Sequence, residues 1–305
     1  MKAIIVTDKN AGTAGMQLVE RPEPHTAEND VVVRVHASGF TPGELAWPGT
    51  WEDRAGKNRT PSVPGHEVAG VVSSLGYGTT GLTVGQRVFG LTDWTRDGSL
   101  AEFVSVEARN LAALPANIGF VTAASLPVSG LTAWQALFVH GGLQTGHTVM
   151  IHGAAGGVGS IATQLARQAG AYVIGTGRST DEQAALALGA DEFIDLGQDG
   201  WASREQVDLV FDVIGGTIGD ASIDLVRPGG TLVTIAGPPA RQPENGRALF
   251  FVVEADRGQL GEIAQRVRDG RLVSSIGTVA ALDDAAAAFN STVRVPGKTI
   301  IKVAD

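Results

Sequence analysis

The residues best suited to chemistry are the glycines of the run Gly153–Gly159. Aligned as Ala154-x-Gly156-x-x-Gly159, the run carries alanine at the first of three positions where glycine is usual in a dinucleotide-binding turn. Gly156 lets the backbone approach a pyrophosphate, and Gly159 lets a helix pack tightly on the preceding strand. The pyrophosphate would lie against free N–H groups at the helix N-terminus. The alternative is a glycine-rich loop that binds no nucleotide. The predicted contacts in this turn are Ala154, Ala155, Gly156, Gly157, Val158 and Gly159.

Arg178 follows the next predicted strand and indicates which nucleotide would bind. About 20 residues past the glycines, an NAD site places an acid on the ribose 2′-hydroxyl. Here the strand ends in Gly177-Arg178-Ser179, without an acid. Arg178 can offer a forked guanidinium to a 2′-phosphate, and Ser179 can add a hydroxyl donor. We therefore expect NADPH as cofactor, with a solvated surface arginine as the alternative.

A strand–turn–helix–strand unit is needed to position these residues, and the sequence predicts one. Thr148–His152 is an apolar strand, Ser160–Ala169 has helical spacing, and Ala171–Gly175 is a second apolar strand. Strands and helices then alternate through residue 236, including the apolar run Val207–Val213. This alternation predicts a doubly wound parallel sheet in an α/β protein.

The flanking regions have a different pattern. Many short strands separated by turn residues are predicted before residue 106, which favours an antiparallel barrel or sandwich. After the parallel sheet, Gly258–Arg268 has helical spacing and Lys298–Val303 is a closing strand. That strand can return to the N-terminal domain and make it discontinuous.

Composition limits the function classes. The chain has 305 residues, 43% of them hydrophobic, enough to bury the core of one large or two ordinary domains. A net charge of -9 argues against nucleic acid or an anionic membrane as partner. The absence of cysteine excludes disulfides, thiolate catalysis and thiolate metal sites. The N-terminus lacks a signal-peptide pattern and no apolar run approaches ~18 residues, so we expect a cytoplasmic protein without a membrane span.

Seven motifs resemble those of one enzyme family and occur in the family's order. They are Val35-His36-Ala37-Ser38-Gly39-Phe40, Pro64-Gly65-His66-Glu67-Val68-Ala69-Gly70, Val84-Gly85-Gln86-Arg87-Val88, Gly98-Ser99-Leu100-Ala101-Glu102-Phe103-Val104, Gly130-Leu131-Thr132-Ala133-Trp134, Ala154-Ala155-Gly156-Gly157-Val158-Gly159 and Leu188-Gly189-Ala190-Asp191. The chain resembles the medium-chain dehydrogenase/reductase superfamily, and within it the zinc-independent quinone oxidoreductase branch. The resemblance implies a GroES-like β-barrel domain over residues 1–120, completed by 250–305, and a Rossmann NADP(H)-binding domain over 121–249. It also implies a cleft between the domains and a homodimer.

Zinc decides which chemistry the resemblance implies, because the superfamily includes zinc alcohol dehydrogenases. The positions that match the three zinc ligands are Thr41, His66 and about Val128, and only His66 keeps ligand chemistry. Zn²⁺ needs three protein ligands, so we predict no metal site and a structural, hydrogen-bonded role for His66. Without a Lewis acid, alcohol dehydrogenase chemistry is not favoured.

The resemblance also implies which residues face the nicotinamide and the acceptor. Thr132 matches a nicotinamide-side contact, with a helix N-terminal hydroxyl as the alternative. Thr41 is the predicted catalytic contact, although related quinone reductases often have asparagine there. Trp47 and Trp51 are expected to stack on a planar acceptor, with ordinary loop packing as the alternative. The remaining nucleotide contacts implied by the resemblance are Ile214, Ala236, Gly237, Phe250 and Val252.

The predicted function is hydride transfer from NADPH to a quinone or an α,β-unsaturated carbonyl. Such acceptors need no metal, because the carbonyl spreads the developing negative charge. A proton donor is not evident, since Tyr77 and Tyr172 fall in a turn and a strand. Two alternatives stay open: a trans-acting enoyl reductase of a biosynthetic pathway, and a non-catalytic NADPH-binding sensor or crystallin-like protein.

Overall fold

The computed structural model describes residues 1–293 and 295–304, without the side chain of Pro42. The chain forms two compact units. The first joins Met1–Val128 with the residues from Ala255 onward, and the second is Ser129–Glu254. We expected divisions after residues 120 and 249. The first lies later because the helix Phe120–Ala124 packs on the strands of the first unit.

Within the described residues, fifteen strands and eight α-helices form the two units. The strands are β1 Lys2–Ile5, β2 Gln17–Glu20, β3 Asp30–Gly39, β4 Glu67–Leu75, β5 Arg87–Leu91, β6 Phe103–Glu107, β7 Leu111–Ala113, β8 Thr148–His152, β9 Tyr172–Gly177, β10 Glu192–Asp195, β11 Val207–Asp212, β12 Val226–Thr234, β13 Arg247–Phe250, β14 Ile276–Ala281 and β15 Lys298–Lys302. The helices are α1 Pro48–Trp51, α2 Phe120–Ala124, α3 Pro127–Trp134, α4 Gly159–Gln168, α5 Glu182–Ala187, α6 Gly216–Ser222, α7 Arg257–Arg268 and α8 Ala285–Phe289.

The first unit is built around β3, whose residues are almost all buried. The strand order is β14-β15-β3-β4-β5-β7, and β6 also pairs with β3. Val31, Val33 and Val35 of β3 pack in one apolar cluster with Val68 and Val72 of β4. The closing strand β15 pairs antiparallel with β3, so the C-terminal end of the chain returns to the N-terminal unit, as expected.

The second unit is a parallel sheet with the order β10-β9-β8-β11-β12-β13. The sheet starts at β8, grows through β9 to β10 on one side, and then continues from β11 to β13 on the other. All five strand pairs are parallel. This is the strand order of a Rossmann fold, with its switch point between β8 and β11. The predicted doubly wound sheet is therefore confirmed.

One predicted helix is divided in the structure. The pattern predicts one helix over Gly130–Gly141, but α3 ends at Trp134 and a π-helical turn follows over Gln135–His140. The Gly141 N–H bonds to the Ala136 carbonyl at 2.9 Å, five residues back, which widens the turn. Among the described residues, no helix combines the length and apolarity that a membrane crossing requires.

Candidate active site

The carboxyl ends of the parallel strands form one edge of the second unit's sheet. Ligands of doubly wound sheets bind at this edge, beside the switch point. Most of the predicted nucleotide contacts lie at or directly after these strand ends: the turn 153–159 after β8, Gly177 to Ser179 at β9, Ile214 after β11, Ala236 and Gly237 after β12, and Phe250 and Val252 at β13. The fold therefore brings together residues that are up to a hundred positions apart in the chain.

The turn after β8 is shaped by the main chain of Gly153. Gly153 has φ +65°, and its carbonyl accepts the Gly156 N–H at 2.8 Å. A Cβ at Gly159 would lie 2.1 Å from the same carbonyl oxygen, so only glycine fits at the start of α4. Gly156 and Gly157 are exposed, which leaves the N-terminus of this helix open to a pyrophosphate.

Arg178 directly follows β9 and points to solvent, with 61% of its side chain exposed. Asp181 accepts two bonds from Arg178 through the same oxygen, from the main-chain N–H at 3.2 Å and from Nε at 3.3 Å. Ser179 and Thr180 are also exposed. The Asp181 contacts use one edge of the guanidinium, whose remaining donors can turn to a ligand.

A buried carboxylate holds the strand ends on the other side of the switch point. Asp212 Oδ1 accepts the N–H groups of Ile214 and Gly215, both at 2.9 Å, and Oδ2 accepts the Thr234 hydroxyl at 3.0 Å. Thr234 Oγ1 in turn accepts the Ala236 N–H at 3.1 Å. Asp212 thus fixes the loops after β11 and β12 relative to each other.

The segment after β13 alternates between the core and solvent. Phe250 and Val252 are 40% and 60% exposed, whereas Phe251 and Val253 are each 8% exposed. Two neighbouring apolar side chains at this edge suit the face of a nicotinamide ring. Thr132 is buried and is the sixth residue of α3, and its contact with the nucleotide stays a prediction.

The first unit buries a pair of titratable side chains near Thr41. Glu44 Oε1 accepts the Thr41 N–H at 2.9 Å, Oε2 accepts the Gly65 N–H at 3.1 Å, and the His66 Nε2 lies 3.9 Å from Oε2. The other ring nitrogen of His66 is 2.7 Å from the Thr92 hydroxyl. Burial raises the pKa of Glu44 to about 8 and lowers the pKa of His66 to about 3. Burial therefore favours the neutral form of both side chains.

Aromatic rings surround His66. Trp47 lies nearly parallel to the His66 ring at 6.4 Å, and Trp94 meets both rings edge-on, at 4.9 Å from Trp47 and 5.0 Å from His66. Trp47 and Trp94 are half-buried, which leaves part of each ring for a ligand. Trp51 differs, because it is 8% exposed, belongs to an apolar core cluster and donates its indole N–H to the Leu45 carbonyl at 2.8 Å. Its burial fits the alternative interpretation, loop packing.

The same part of the first unit does not fit a zinc ion. Glu67, beside His66, already accepts the Val128 N–H at 2.9 Å and pairs with Lys298. Zn²⁺ requires three or four ligands of the Cys, His, Asp or Glu type. The chain has no cysteine, and no group of three such residues is arranged for a metal within residues 1–293 and 295–304.

Comparison with known proteins agrees with both units. Residues 27–116 match the alcohol dehydrogenase GroES-like domain, and residues 188–301 match the zinc-binding dehydrogenase family. A probable zinc-binding mitochondrial oxidoreductase of Arthroderma benhamiae is 30% identical over 97% of this chain and 95% of its own length. The 2-methylene-furan-3-one reductase of Solanum lycopersicum is 31% identical over 91% of this chain and 73% of its own length. The chain belongs to the medium-chain dehydrogenase/reductase superfamily, in its quinone oxidoreductase-like branch.

A solved structure supports the same assignment for the fold. The quinone oxidoreductase from Coxiella burnetii matches with a TM-score of 0.89 and 29% identity, over 99% of both chains. Membership of the superfamily implies a nicotinamide nucleotide as cofactor. The Rossmann sheet edge offers what that group needs: a glycine turn at a helix N-terminus and exposed apolar side chains.

Sequence reasoning missed three residues of these sites. Asp212 had a visible signal, because an acid at the end of an apolar parallel strand lies at the ligand edge of the sheet. Trp94 and Glu44 had none, since only the folded first unit places them beside His66. Asp181, directly before α5, was not singled out either, and it contacts Arg178.

Proposed function

We propose that the protein is an NADPH-dependent oxidoreductase that transfers a hydride to a quinone or an α,β-unsaturated carbonyl. The observation that carries the proposal is the single sheet edge where the glycine turn, Arg178, Phe250 and Val252 meet. The relatives of this protein include proteins named for quinone and enone reduction, which supports this acceptor class.

Each residue at this edge has a distinct task in the proposal. When bound, the nicotinamide supplies the hydride. The N–H groups at the start of α4 bind the pyrophosphate, and Arg178 with Ser179 binds the 2′-phosphate. Phe250 and Val252 cover the ring with apolar surface and exclude water. In the first unit, Trp47 and Trp94 offer flat faces to a planar acceptor, and the exposed Thr41 offers a hydroxyl to its oxygen.

Zinc independence is part of the proposal. A conjugated carbonyl accepts hydride without a Lewis acid, because the negative charge spreads to its oxygen. The absence of cysteine and the carboxylate of Glu67, occupied by the Val128 N–H and by Lys298, support this view. We therefore expect turnover to survive treatment with a strong chelator.

The direct test is NADPH oxidation with a panel of quinones, enones and thioester enones. We expect turnover with the quinones or simple enones, before and after chelation. A clear preference for thioester enones would favour the enoyl reductase instead. Tight NADPH binding without turnover of any acceptor would favour the non-catalytic alternative and contradict the proposal.

Arg178→Ala tests the choice of nucleotide. Charge-assisted bonds contribute roughly 1.5–3 kcal/mol each, so the KM for NADPH should rise by about ten- to a hundredfold. The KM for NADH, which lacks the 2′-phosphate, should change little. Arg204→Ala is the matched control, an exposed arginine of the same unit that pairs with Glu192 at the start of β10. Equal effects of Arg178→Ala on both nucleotides would refute the phosphate assignment.

The homodimer and the cytoplasmic location stay proposals that derive from the family resemblance and the N-terminal sequence. Analytical ultracentrifugation tests the first, and fractionation of the source cells tests the second. A small-molecule acceptor, with no nucleic acid partner, agrees with the net charge of -9.

A further inference from the structure

Two glutamines hold the extended segment at the end of β13, and they do so in the same way. Gln242 Nε2 donates to the Ala248 carbonyl at 2.9 Å, and Gln242 Oε1 accepts the Ala248 N–H at 2.7 Å. Gln135 Nε2 donates to the Glu254 carbonyl at 2.8 Å, and Gln135 Oε1 accepts the Glu254 N–H at 3.1 Å. At each end of the segment, one side-chain amide thus bonds both main-chain groups of one residue.

The residues between the two amides are held on one side only. The Phe251 N–H donates to the Thr234 carbonyl at 3.3 Å, and its ring lies 4.5 Å from the His140 ring. Phe250 and Val252 face the other way and are exposed. The segment is therefore an apolar strip whose buried side and two ends are fixed, and whose open side is at the ligand edge of the sheet.

The π-helical turn explains how one short element reaches this strip twice. Gln135 and His140 are its first and last residues, and both contact residues 251–254. In a regular α-helix, the side chains of residues five apart point in different directions. In a π-turn the backbone bonds join residues five apart, which brings the side chains of such residues toward the same side. Such turns occur frequently at functional sites. Gln135 itself is buried, so its amide has a defined position.

We propose that Gln135 and Gln242 are positioning residues that fix the strip Leu249–Val253 against the nicotinamide ring. This inference rests on the proposed function, because it requires a nicotinamide nucleotide at the sheet edge. Neither glutamine contacts the nucleotide in the proposal. They act through Phe250 and Val252, and therefore on the nicotinamide half of the cofactor, whereas Arg178 acts on the adenosine half.

Gln135→Leu removes both bonds at little change in side-chain volume and gives the sharpest test. The dissociation constants of NADPH and of 2′,5′-ADP, which keeps the 2′-phosphate but lacks the nicotinamide, are measured by titration calorimetry. We expect the Kd of NADPH to rise about tenfold, because a strip released from Gln135 must be ordered again when the ring binds, with that of 2′,5′-ADP unchanged. The kcat with a quinone should fall as well, because the ring is less well aligned.

Gln206→Leu is the matched control, because Gln206 also donates to a main-chain carbonyl, that of Asp224, but lies before β11 at the opposite end of the strand. It should leave both dissociation constants unchanged. Gln242 is exposed, so Gln242→Leu provides a second variant should Gln135→Leu not fold, with the same selective loss of NADPH.

The outcomes separate the two proposals. Equal loss of NADPH and 2′,5′-ADP, or no loss of either in a folded variant, would overturn the positioning role while leaving the proposed function intact. A wild-type protein that binds neither ligand would overturn both.

Discussion

At the scale of single residues, the buried carboxyl group of Glu44 makes the stability of the first unit depend on pH. Its pKa rises from 4.5 to about 8 because burial disfavours the charged form more than the Thr41 and Gly65 N–H groups favour it. The folded state therefore keeps a proton that the unfolded chain releases above pH 4.5. The contribution of Glu44 to the free energy of unfolding should therefore fall by roughly 1.4 kcal/mol per pH unit between pH 4.5 and 8.

Glu44→Gln removes this titration and keeps the shape of the side chain. The amide can accept only one of the two N–H groups, so we expect the variant to be less stable than wild type by about 1–3 kcal/mol at pH 5. The difference should shrink by about 1.4 kcal/mol per pH unit and change sign before pH 8, because only wild type carries the Glu44 titration. Urea unfolding at four pH values measures it, with the exposed Glu52→Gln as control. A difference that stays constant from pH 5 to 8 would contradict the assignment.

At the scale of elements, the β8–turn–α4 unit separates two uses of glycine. A Cβ at Gly159 would lie 2.1 Å from the Gly153 oxygen, a contact that requires the helix to move. A Cβ at Gly156 would lie 3.1 Å from the same oxygen, on an exposed position. The first glycine is needed for helix packing and the second for approach of a pyrophosphate.

Alanine substitutions at these two positions should therefore have different effects. Gly159→Ala should lower the free energy of unfolding by about 1–3 kcal/mol, as overpacking does. Gly156→Ala should cost little stability and weaken NADPH binding at least as strongly as Arg178→Ala. Thermal melting and NADPH titration of both variants measure the two effects. Similar losses of stability and of binding in both variants would show that the turn does not divide its tasks in this way.

The elements of the sheet edge could be predicted from the sequence to a large extent. The apolar run Thr148–His152 has the bounds of β8, because a buried parallel strand shows as a continuous apolar segment. Strand β13 was not predicted, since Arg247–Phe250 is short and mixed in polarity. The π-turn was missed because Gln135–His140 continues the helical pattern of α3, and only the bond from the Gly141 N–H to the Ala136 carbonyl distinguishes it.

At the scale of the whole molecule, each unit contains a buried histidine whose pKa is lowered by burial. His152 at the end of β8 contacts the hydroxyls of Thr176 and Ser222, each at 2.7 Å. The Ser222 hydroxyl donates to the Ile218 carbonyl, so His152 Nε2 carries the proton and Thr176 donates to Nδ1. Burial lowers the pKa of His152 to about 4, and that of His66 in the first unit to about 3. In the unfolded chain both histidines take up a proton below pH 6.5.

The two units should consequently respond differently to pH. In the second unit, stability should rise by about 2.7 kcal/mol from pH 4.5 to 6.5, because only unfolded His152 is protonated there, and then level off. In the first unit, His66 raises the stability with pH in the same way, but Glu44 lowers it by a similar amount, so the stability is constant from about pH 4.5 to 6.5. Above pH 6.5 only Glu44 still changes the stability, which therefore falls.

Hydrogen exchange of the two units measures these curves separately, once the intrinsic pH dependence of exchange is corrected. Peptides from β8 and β9 report on the second unit, and peptides from β3 and β4 on the first. His152→Gln should flatten the curve of the second unit and leave the first unchanged. His66→Gln should leave the second unchanged and make the first fall throughout from pH 4.5 to 8, because Glu44 is then unopposed. Parallel pH curves for the two units of the wild-type protein would contradict this account, since they would require the buried groups to act across the whole chain.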